Sequence, residues 1–450
     1  MTTNVSALNN MFGFGLSTKS PLEKKQPIKD TTLKSDKPTL YLQDYMMKNG
    51  ANLSTVRTEL HQKYSIKVSY DDDVVIFSSS YSAKKNMTHV FHQEANGLIL
   101  DAKTFAPLVV PPRSLKMNHS QELVNRFISL GLYRIYRALD GTTINFYFKS
   151  QNKFGDQNSR LGEWRMSTTR GFNMANVTWN GIKTYREVFE DILKKKNLTW
   201  DSFTDMLDKD CCYTFGIKHQ EYHKFPNYDY PIWYIQSVNL NPAVDTYLYA
   251  KIGNPLSKYI QSQPKYTPMV TNIRELYTIA KNALGEYQKS GEVCYGFIIR
   301  SNDPNITEYE SDLLIESSLM QFIRMNWYNN RTVRMAHEHK LDKENLICLK
   351  TVIEHQVSNV FGQIFPSYKP KIEKIISKLD KLIDSCVKKV SGEHVAMDEK
   401  TQFVVNAILE LFQKKVEINW KKCSMEERKT YLNQFIVNAE MVNVLYSYLF

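Results

Sequence analysis

A change of hydrophobic period near residue 338 divides this chain and limits what it can fold into. Before it, from Thr39 to about Ile315, short runs of β-branched and aromatic residues are interleaved with helical stretches. The spacing predicts strands over Ile66–Tyr70, Val74–Ser78, Gly97–Leu100, Leu132–Tyr136, Ile144–Phe148, Glu163–Ser167, Cys212–Ile217, Pro231–Val238 and Cys294–Arg300. It predicts helices over Asn118–Leu130, Tyr185–Lys195 and Asn272–Lys289. Asp140-Gly141, flanked by β-branched and aromatic residues, predicts a hairpin turn joining two of the strands. Strands and helices do not alternate regularly, so the expected architecture is α+β with mainly antiparallel sheets. After residue 338 strand signals nearly vanish. Leu346–Phe365, Lys371–Val390, Glu399–Lys414 and Met425–Leu449 carry apolar stripes of helical period, and Pro366 and Pro370 end one helix and open the next. The expected organisation is a flexible basic tail over 1–37, a mixed domain over 38–335 and an all-α domain over 336–450.

Several function classes drop out. No run of about 18 uninterrupted apolar residues occurs, so no membrane-spanning helix is expected. The N-terminus lacks a charged segment followed by an apolar one, so secretion is not expected. Cys211, Cys212, Cys294, Cys348, Cys386 and Cys423 form no Cys-x-x-Cys pair, which points to reduced thiols, a cytoplasmic protein and no metal. His337-Glu338-His339 sets two imidazoles at i and i+2, which cannot face one way on a helix. Cys211-Cys212 at a strand start reads as packing rather than redox chemistry.

Lys+Arg number 58 against 47 Asp+Glu, a net charge of +11, which favours an anionic partner, nucleic acid before an acidic membrane surface. Lys371, Lys374, Lys378 and Lys381 recur on one face of a helix, and Lys194-Lys195-Lys196, Lys388-Lys389, Lys414-Lys415 and Lys421-Lys422 form further clusters. The plain reading of such lysines is a solvated face; the sharper one is an RNA track. Tyr222–Tyr234 and Asn326-Trp327-Tyr328 offer rings for base stacking or for a core.

Phosphate loops, the dinucleotide glycine fingerprint, His-x-x-x-His and Gly-x-Ser-x-Gly are all absent. One ordered series stands out. Asn96-Gly97-Leu98-Ile99-Leu100-Asp101 precedes Val110-Pro111-Pro112-Arg113-Ser114-Leu115-Lys116 and Leu139-Asp140-Gly141-Thr142. Trp164-Arg165-Met166-Ser167-Thr168-Thr169-Arg170-Gly171-Phe172, Tyr213-Thr214-Phe215-Gly216-Ile217 and Tyr295-Gly296-Phe297-Ile298-Ile299-Arg300 follow. The order and spacing resemble the bacteriophage-type ATP-dependent RNA ligases of the covalent nucleotidyltransferase superfamily, including the RNA ligase-like proteins of large cytoplasmic DNA viruses. The resemblance runs from about Glu94 to Leu319, and Phe365-Pro366-Ser367-Tyr368 matches a Phe-Pro-x-Tyr run in the family's helical part.

The resemblance implies a nucleotidyltransferase (adenylation) domain followed by an all-α domain, with RNA as partner and ATP and Mg²⁺ as cofactors of any active form. In the family a lysine attacks the α-phosphate of ATP, AMP passes to a 5′-phosphate, and a 3′-hydroxyl displaces it. Carboxylates and further cations support that chemistry. This chain departs at each of those positions. The family's Lys-x-Asp-Gly is Ala138-Leu139-Asp140-Gly141, Phe-Glu is Phe215-Gly216, Glu-Gly is Tyr295-Gly296, Lys-x-Lys is Leu314-Ile315-Glu316, and Arg-Gly is Asn96-Gly97. Arg137 cannot stand in for the lysine, because a guanidinium stays protonated and this one points to the opposite face of the strand.

By position, Lys116, Asp140, Gly141, Thr142, Arg170 and Phe215 are the nucleotide-binding candidates that the resemblance leaves, and Lys371, Lys374, Lys378 and Lys381 are the nucleic-acid candidates. The expectation is an RNA ligase-like protein with a degenerate active site, a non-catalytic subunit of an RNA-processing or transcription assembly in the host cytoplasm or a virion. The alternatives are an active RNA ligase and a structural virion or scaffold protein.

Overall fold

The computed structural model describes residues 40–79, 89–117, 133–150, 162–178, 183–219, 230–240, 256–268, 273–301, 313–327, 339–353, 358–415, 423–436 and 441–450, with isolated positions between them. The tail over 1–37, the helix expected over Asn118–Leu130, His337, Glu338, Tyr328, Lys421 and Lys422 lie outside the described residues. The chain divides into two compact units. The first comprises Met1–His223, Asn227–Leu284 and Val293–Met320; the second comprises Lys224–Pro226, Gly285–Glu292 and Gln321–Phe450.

The elements begin with α1 (Tyr41–Asn49), α2 (Leu53–Tyr64), β1 (Ile66–Tyr70), β2 (Val74–Ser79), α3 (Phe91–Glu94), β3 (Asn96–Asp101) and β4 (Pro107–Val109). Next come β5 (Lys116–Met117), β6 (Tyr133–Arg137), β7 (Thr142–Ser150), β8 (Gly162–Ser167), α4 (Tyr185–Lys194), α5 (Trp200–Thr204), β9 (Cys211–Ile217) and β10 (Ile232–Asn239). Then follow β11 (Gln261–Ser262), α6 (Ile273–Ser290), β12 (Gly296–Ser301) and β13 (Leu313–Glu316).

These strands form three sheets, ordered β1-β2-β3-β4, β11-β10-β9-β7-β8 and β5-β13-β12-β6. Among the described residues only β10–β11 and β5–β13 pair in parallel. The mixed, mainly antiparallel architecture read from the sequence is therefore present. One local expectation fails. Asp140-Gly141 closes no hairpin, because β6 pairs with β12 whereas β7 pairs with β8 and β9. A two-residue type I′ turn needs positive φ at both positions, and neither residue adopts it. The dipeptide instead carries the chain from the third sheet into the second.

The middle sheet is covered on both faces. Ile144, Phe146, Phe215 and Ile217 pack against Val188, Phe189 and Ile192 of α4 and Phe203 of α5. Helix α4 starts where Thr184 and Glu187 form a reciprocal capping box, and it buries Tyr185, Val188, Phe189, Ile192 and Leu193 at helical spacing. On the other face, Tyr147, Cys212 and Val238 meet Val74, Ile76, Ile99 and Val109 of the first sheet. The third sheet buries Ile135, Phe297, Ile299, Leu313 and Ile315 against Ile273, Leu276 and Ala280 of α6.

The chain continues with α7 (Ser318–Asn326), α8 (Lys343–Ile353), α9 (Ser358–Ile364), α10 (Lys369–Val390), α11 (Glu399–Lys415), α12 (Met425–Ile436) and α13 (Met441–Leu449). The runs expected over Leu346–Phe365 and Met425–Leu449 thus each hold two helices. Pro370 sits in the first turn of α10, which buries Ile372, Ile375, Leu379, Leu382, Ile383, Cys386 and Val387. Trp327 stacks on Phe365 with ring centres 5.1 Å apart. It is a buried core ring, not the base platform that sequence alone allowed.

Candidate functional site

The residues singled out by the motif series converge where the second and third sheets meet. Ala138 follows β6, and its N–H donates to the carbonyl of Gly296 at 2.9 Å. Arg137 donates its own N–H to Pro264 at 2.8 Å, so the strand end is held on both sides. Ala138 is 8% exposed. Gly296 has φ of +125°, and a Cβ there would lie 2.1 Å from the carbonyl oxygen of Ile315. The backbone itself therefore requires this glycine.

At the position of the family's first glutamate the space is filled. Trp233 of β10 stands opposite Gly216 of β9 in the antiparallel register. A Cβ on Gly216 would lie 2.0 Å from an indole carbon, and one on Gly141 would lie 2.3 Å from the far edge of the same ring. The two glycines seat a buried tryptophan. Any longer side chain at 216 competes with it for the same volume.

At the second glutamate position Tyr295 is buried, and its hydroxyl accepts a hydrogen bond from Lys218 Nζ at 2.8 Å. The same ammonium lies 3.7 Å from Asp140 Oδ2 and 5.0 Å from the centre of the Tyr295 ring. Lys218 is 4% exposed. It follows β9, and because Thr142 pairs with Ile217, it stands across from Gly141. A buried ammonium is tolerated only when carboxylate and hydrogen-bond partners compensate its lost hydration, and Asp140 and Tyr295 are such partners. Next to this cluster, on the same face of β9, Thr214 donates its hydroxyl to Asn145 Oδ1 at 2.9 Å, and Asn145 Nδ2 reaches Ser167 at 3.5 Å.

Asn96-Gly97 is brought against a second motif. Gly97 has φ of +103°, and a Cβ there would lie 2.9 Å from Cα of Thr169. The Thr168–Gly171 turn that it meets is closed by the N–H of Thr168 to the carbonyl of Gly171 at 2.9 Å. Arg170 is exposed on this turn.

The structure therefore gathers Ala138, Asp140, Gly141, Gly216 and Tyr295. Thr142 is half-buried beside them in β7, and Lys116 contributes its backbone to β5, opposite Leu313. Phe215 needs correcting as a nucleotide-binding candidate. Side chains alternate along β9, and its ring points to the helix-covered face, where it packs edge-on against Phe146 and Phe203 with no exposure. Sequence reasoning missed Lys218 and the role of Trp233. Lys218 lay one residue past the predicted strand, and Trp233 was only one ring in an aromatic-rich stretch.

Cys211 and Cys212 lie in β9, where burial pushes the Cys212 thiol up to about 12. Among the described residues no group of three or more His, Cys, Asp or Glu side chains is placed to hold a metal ion. At the two positions where the resemblance would put carboxylates for ATP with Mg²⁺ stand Gly216, covered by Trp233, and Tyr295, neither of which offers an anionic oxygen to a metal ion. In the second unit, Lys374 and Lys381 are exposed on α10, while Lys371 and Lys378 are half-buried. Among the described residues no helix is long and apolar enough to cross a membrane.

Fold and motif order together resemble those of RNA ligases. Comparison with known proteins gives particular relatives. The chain is 27% identical over 312 residues to a protein named "Putative RNA-ligase" from African swine fever virus (isolate Tick/South Africa/Pretoriuskop Pr4/1996), covering 65% of this chain and 67% of the relative. Its counterpart from isolate Pig/Kenya/KEN-50/1950 is 28% identical over 308 residues, covering 64% and 66%. No protein-family profile matches the chain. An archaeal ATP-dependent RNA ligase structure aligns with 88% of this chain and 99% of its own at 11% identity and a TM-score of 0.37.

Proposed function

We propose that this chain is a nucleic-acid-binding, RNA ligase-like protein that does not form its family's lysyl-nucleotide, acting as a non-catalytic subunit of an RNA-processing or transcription assembly. The observation that carries this reading is Trp233 seated on Gly216 and Gly141, beside a buried alanine at the nucleophile position. Loss of the lysine removes the covalent bond itself, and the indole leaves no room for the carboxylate that would support it. RNA as the partner rests on the name of the viral relatives and on the surplus of cations. The same relatives support a virus-infected cytoplasm or a virion as the place of action.

Incubation with α-labelled ATP and Mg²⁺, then a denaturing gel, tests the first half; no covalent AMP band is expected. Binding of single-stranded RNA across a salt series tests the second, and affinity should fall steeply as salt rises. A second reading, an active ATP-dependent RNA ligase joining 5′-phosphate and 3′-hydroxyl ends, draws on Lys218, an amine beside Asp140. An AMP band that disappears in Lys218→Met would replace the first reading with this one. Absence of both AMP labelling and low-salt RNA binding would leave a structural virion or scaffold protein.

A further inference from the structure

The lysine face of α10 has a wall that lysine spacing alone does not reveal. Lys371, Lys374 and Lys378 line a single cleft together with Ile375, Leu449 and Phe450. Helix α10 carries seven lysines against Glu373, Asp380 and Asp384, and Asp384 is paired with Lys429 at 2.9 Å. Among the described residues Lys371, Lys374, Lys378 and Lys381 join no ion pair. Lys378 Nζ donates to the Leu449 carbonyl at 3.0 Å, which pins one ammonium to the wall. Lys371 Nζ stands 5.9 Å from the centre of the Phe450 ring, which is 45% exposed. The helical rise of about 1.5 Å per residue spaces the three lysines by roughly 4.5 and 6 Å along the axis.

We infer that this cleft binds single-stranded nucleic acid, with backbone phosphates on Lys371 and Lys374 and a base against Phe450. A row of cations beside an exposed ring is the arrangement that holds single strands without reading their sequence. A duplex would meet the lysines but conceal its base faces from the ring. An acidic peptide would likewise leave Phe450 unused. The inference rests on the nucleic-acid reading above and adds the place and the strandedness.

The test uses the full chain and a fluorescent 12-nucleotide RNA, as a single strand and as a duplex, in anisotropy titrations over a salt series. Lys378 is left intact because it holds the wall. Lys371→Ala with Lys374→Ala should weaken single-strand binding and flatten the plot of log affinity against log salt by about 1.4, roughly 0.7 for each lost phosphate contact. Phe450→Ala should weaken single-strand binding at least about fivefold with the slope unchanged, and leave duplex binding alone. Both variants binding like the wild type would overturn the cleft while the nucleic-acid reading stands. No wild-type binding at low salt would overturn that reading and the cleft with it. Displacement of RNA by polyglutamate, with no effect of Phe450→Ala, would overturn the cleft in favour of an acidic protein partner.

Discussion

The Lys218 ammonium lies 3.7 Å from the Asp140 carboxylate, and both side chains are almost wholly buried. The Lys-x-Asp-Gly of the RNA ligases that the sequence resembles has its lysine two residues before the aspartate. Here alanine takes that place, and the aspartate meets an ammonium from Lys218, just past the end of β9. The Asp140 charge is thus balanced from outside the motif.

Breaking this pair should be costly, because the remaining charge stays buried without its counterion. Lys218→Met is expected to destabilise the chain by about 3–5 kcal/mol, and combining it with Asp140→Asn should recover part of the loss. Urea unfolding of the two single variants and the double variant measures the coupling. Strictly additive effects would mean that the two groups do not act as a pair.

Restoring the motif should not restore chemistry. Ala138→Lys with Gly216→Glu forces a glutamate into the volume of Trp233, where a Cβ alone would lie 2.0 Å from the ring. Such overpacking typically costs about 1–3 kcal/mol. A lowered melting temperature and no labelled AMP are expected; a covalent band would show that the pocket opens more readily than the packing implies.

Acidification should stabilise the first unit through Glu94. Its carboxylate accepts the N–H groups of Tyr41 at 2.9 Å and Leu42 at 2.8 Å, and so caps α1. Burial raises its pKa from 4.5 to about 7, with Asp44 acting in the same direction. Between those values the folded state holds a proton that the unfolded chain releases. This contribution is therefore full below about pH 4.5 and is lost as pH rises through 7. His89 and His92, whose pKa burial lowers, act in the opposite sense, so the comparison must be with Glu94→Gln. On going from pH 7.5 to 5.5, the wild-type melting temperature should gain relative to the variant. Parallel pH profiles would refute this.

Thiol labelling should divide the cysteines. Burial pushes Cys211 up to about 11 and Cys212, Cys348 and Cys386 up to about 12, which leaves little thiolate at neutral pH. Mass spectrometry after brief iodoacetamide treatment should find label only at the half-buried Cys294 and Cys423. All six should react in denaturant. Rapid labelling of Cys212 in the native chain would contradict its packing.

Strand placement was legible because β-branched and aromatic clusters report burial on a sheet, and the observed β1 spans Ile66–Tyr70 as expected. Partnership was less legible. Asp140-Gly141 carries the local chemistry of a hairpin, yet β6 finds β12 instead, a choice made by long-range pairing. At the site, position 216 reads from sequence as a missing glutamate. Only the cross-strand register makes it the seat of Trp233. Lys218 was invisible for the same reason: nothing in the adjacent residues says that its ammonium crosses to Asp140.

The wiring of the third sheet has a consequence for synthesis on the ribosome. The first sheet uses four consecutive strands and is complete once Val109 has emerged. In the third, Arg137 must wait for Phe297, roughly 160 residues later, and Lys116 must wait for Leu313. Throughout that interval β5 and β6 are unpaired edges on a nascent chain, open to mispairing or to chaperone capture. Ala138 is therefore one of the last places in the first unit to reach its native neighbours, although it is made about 160 residues before its partner Gly296.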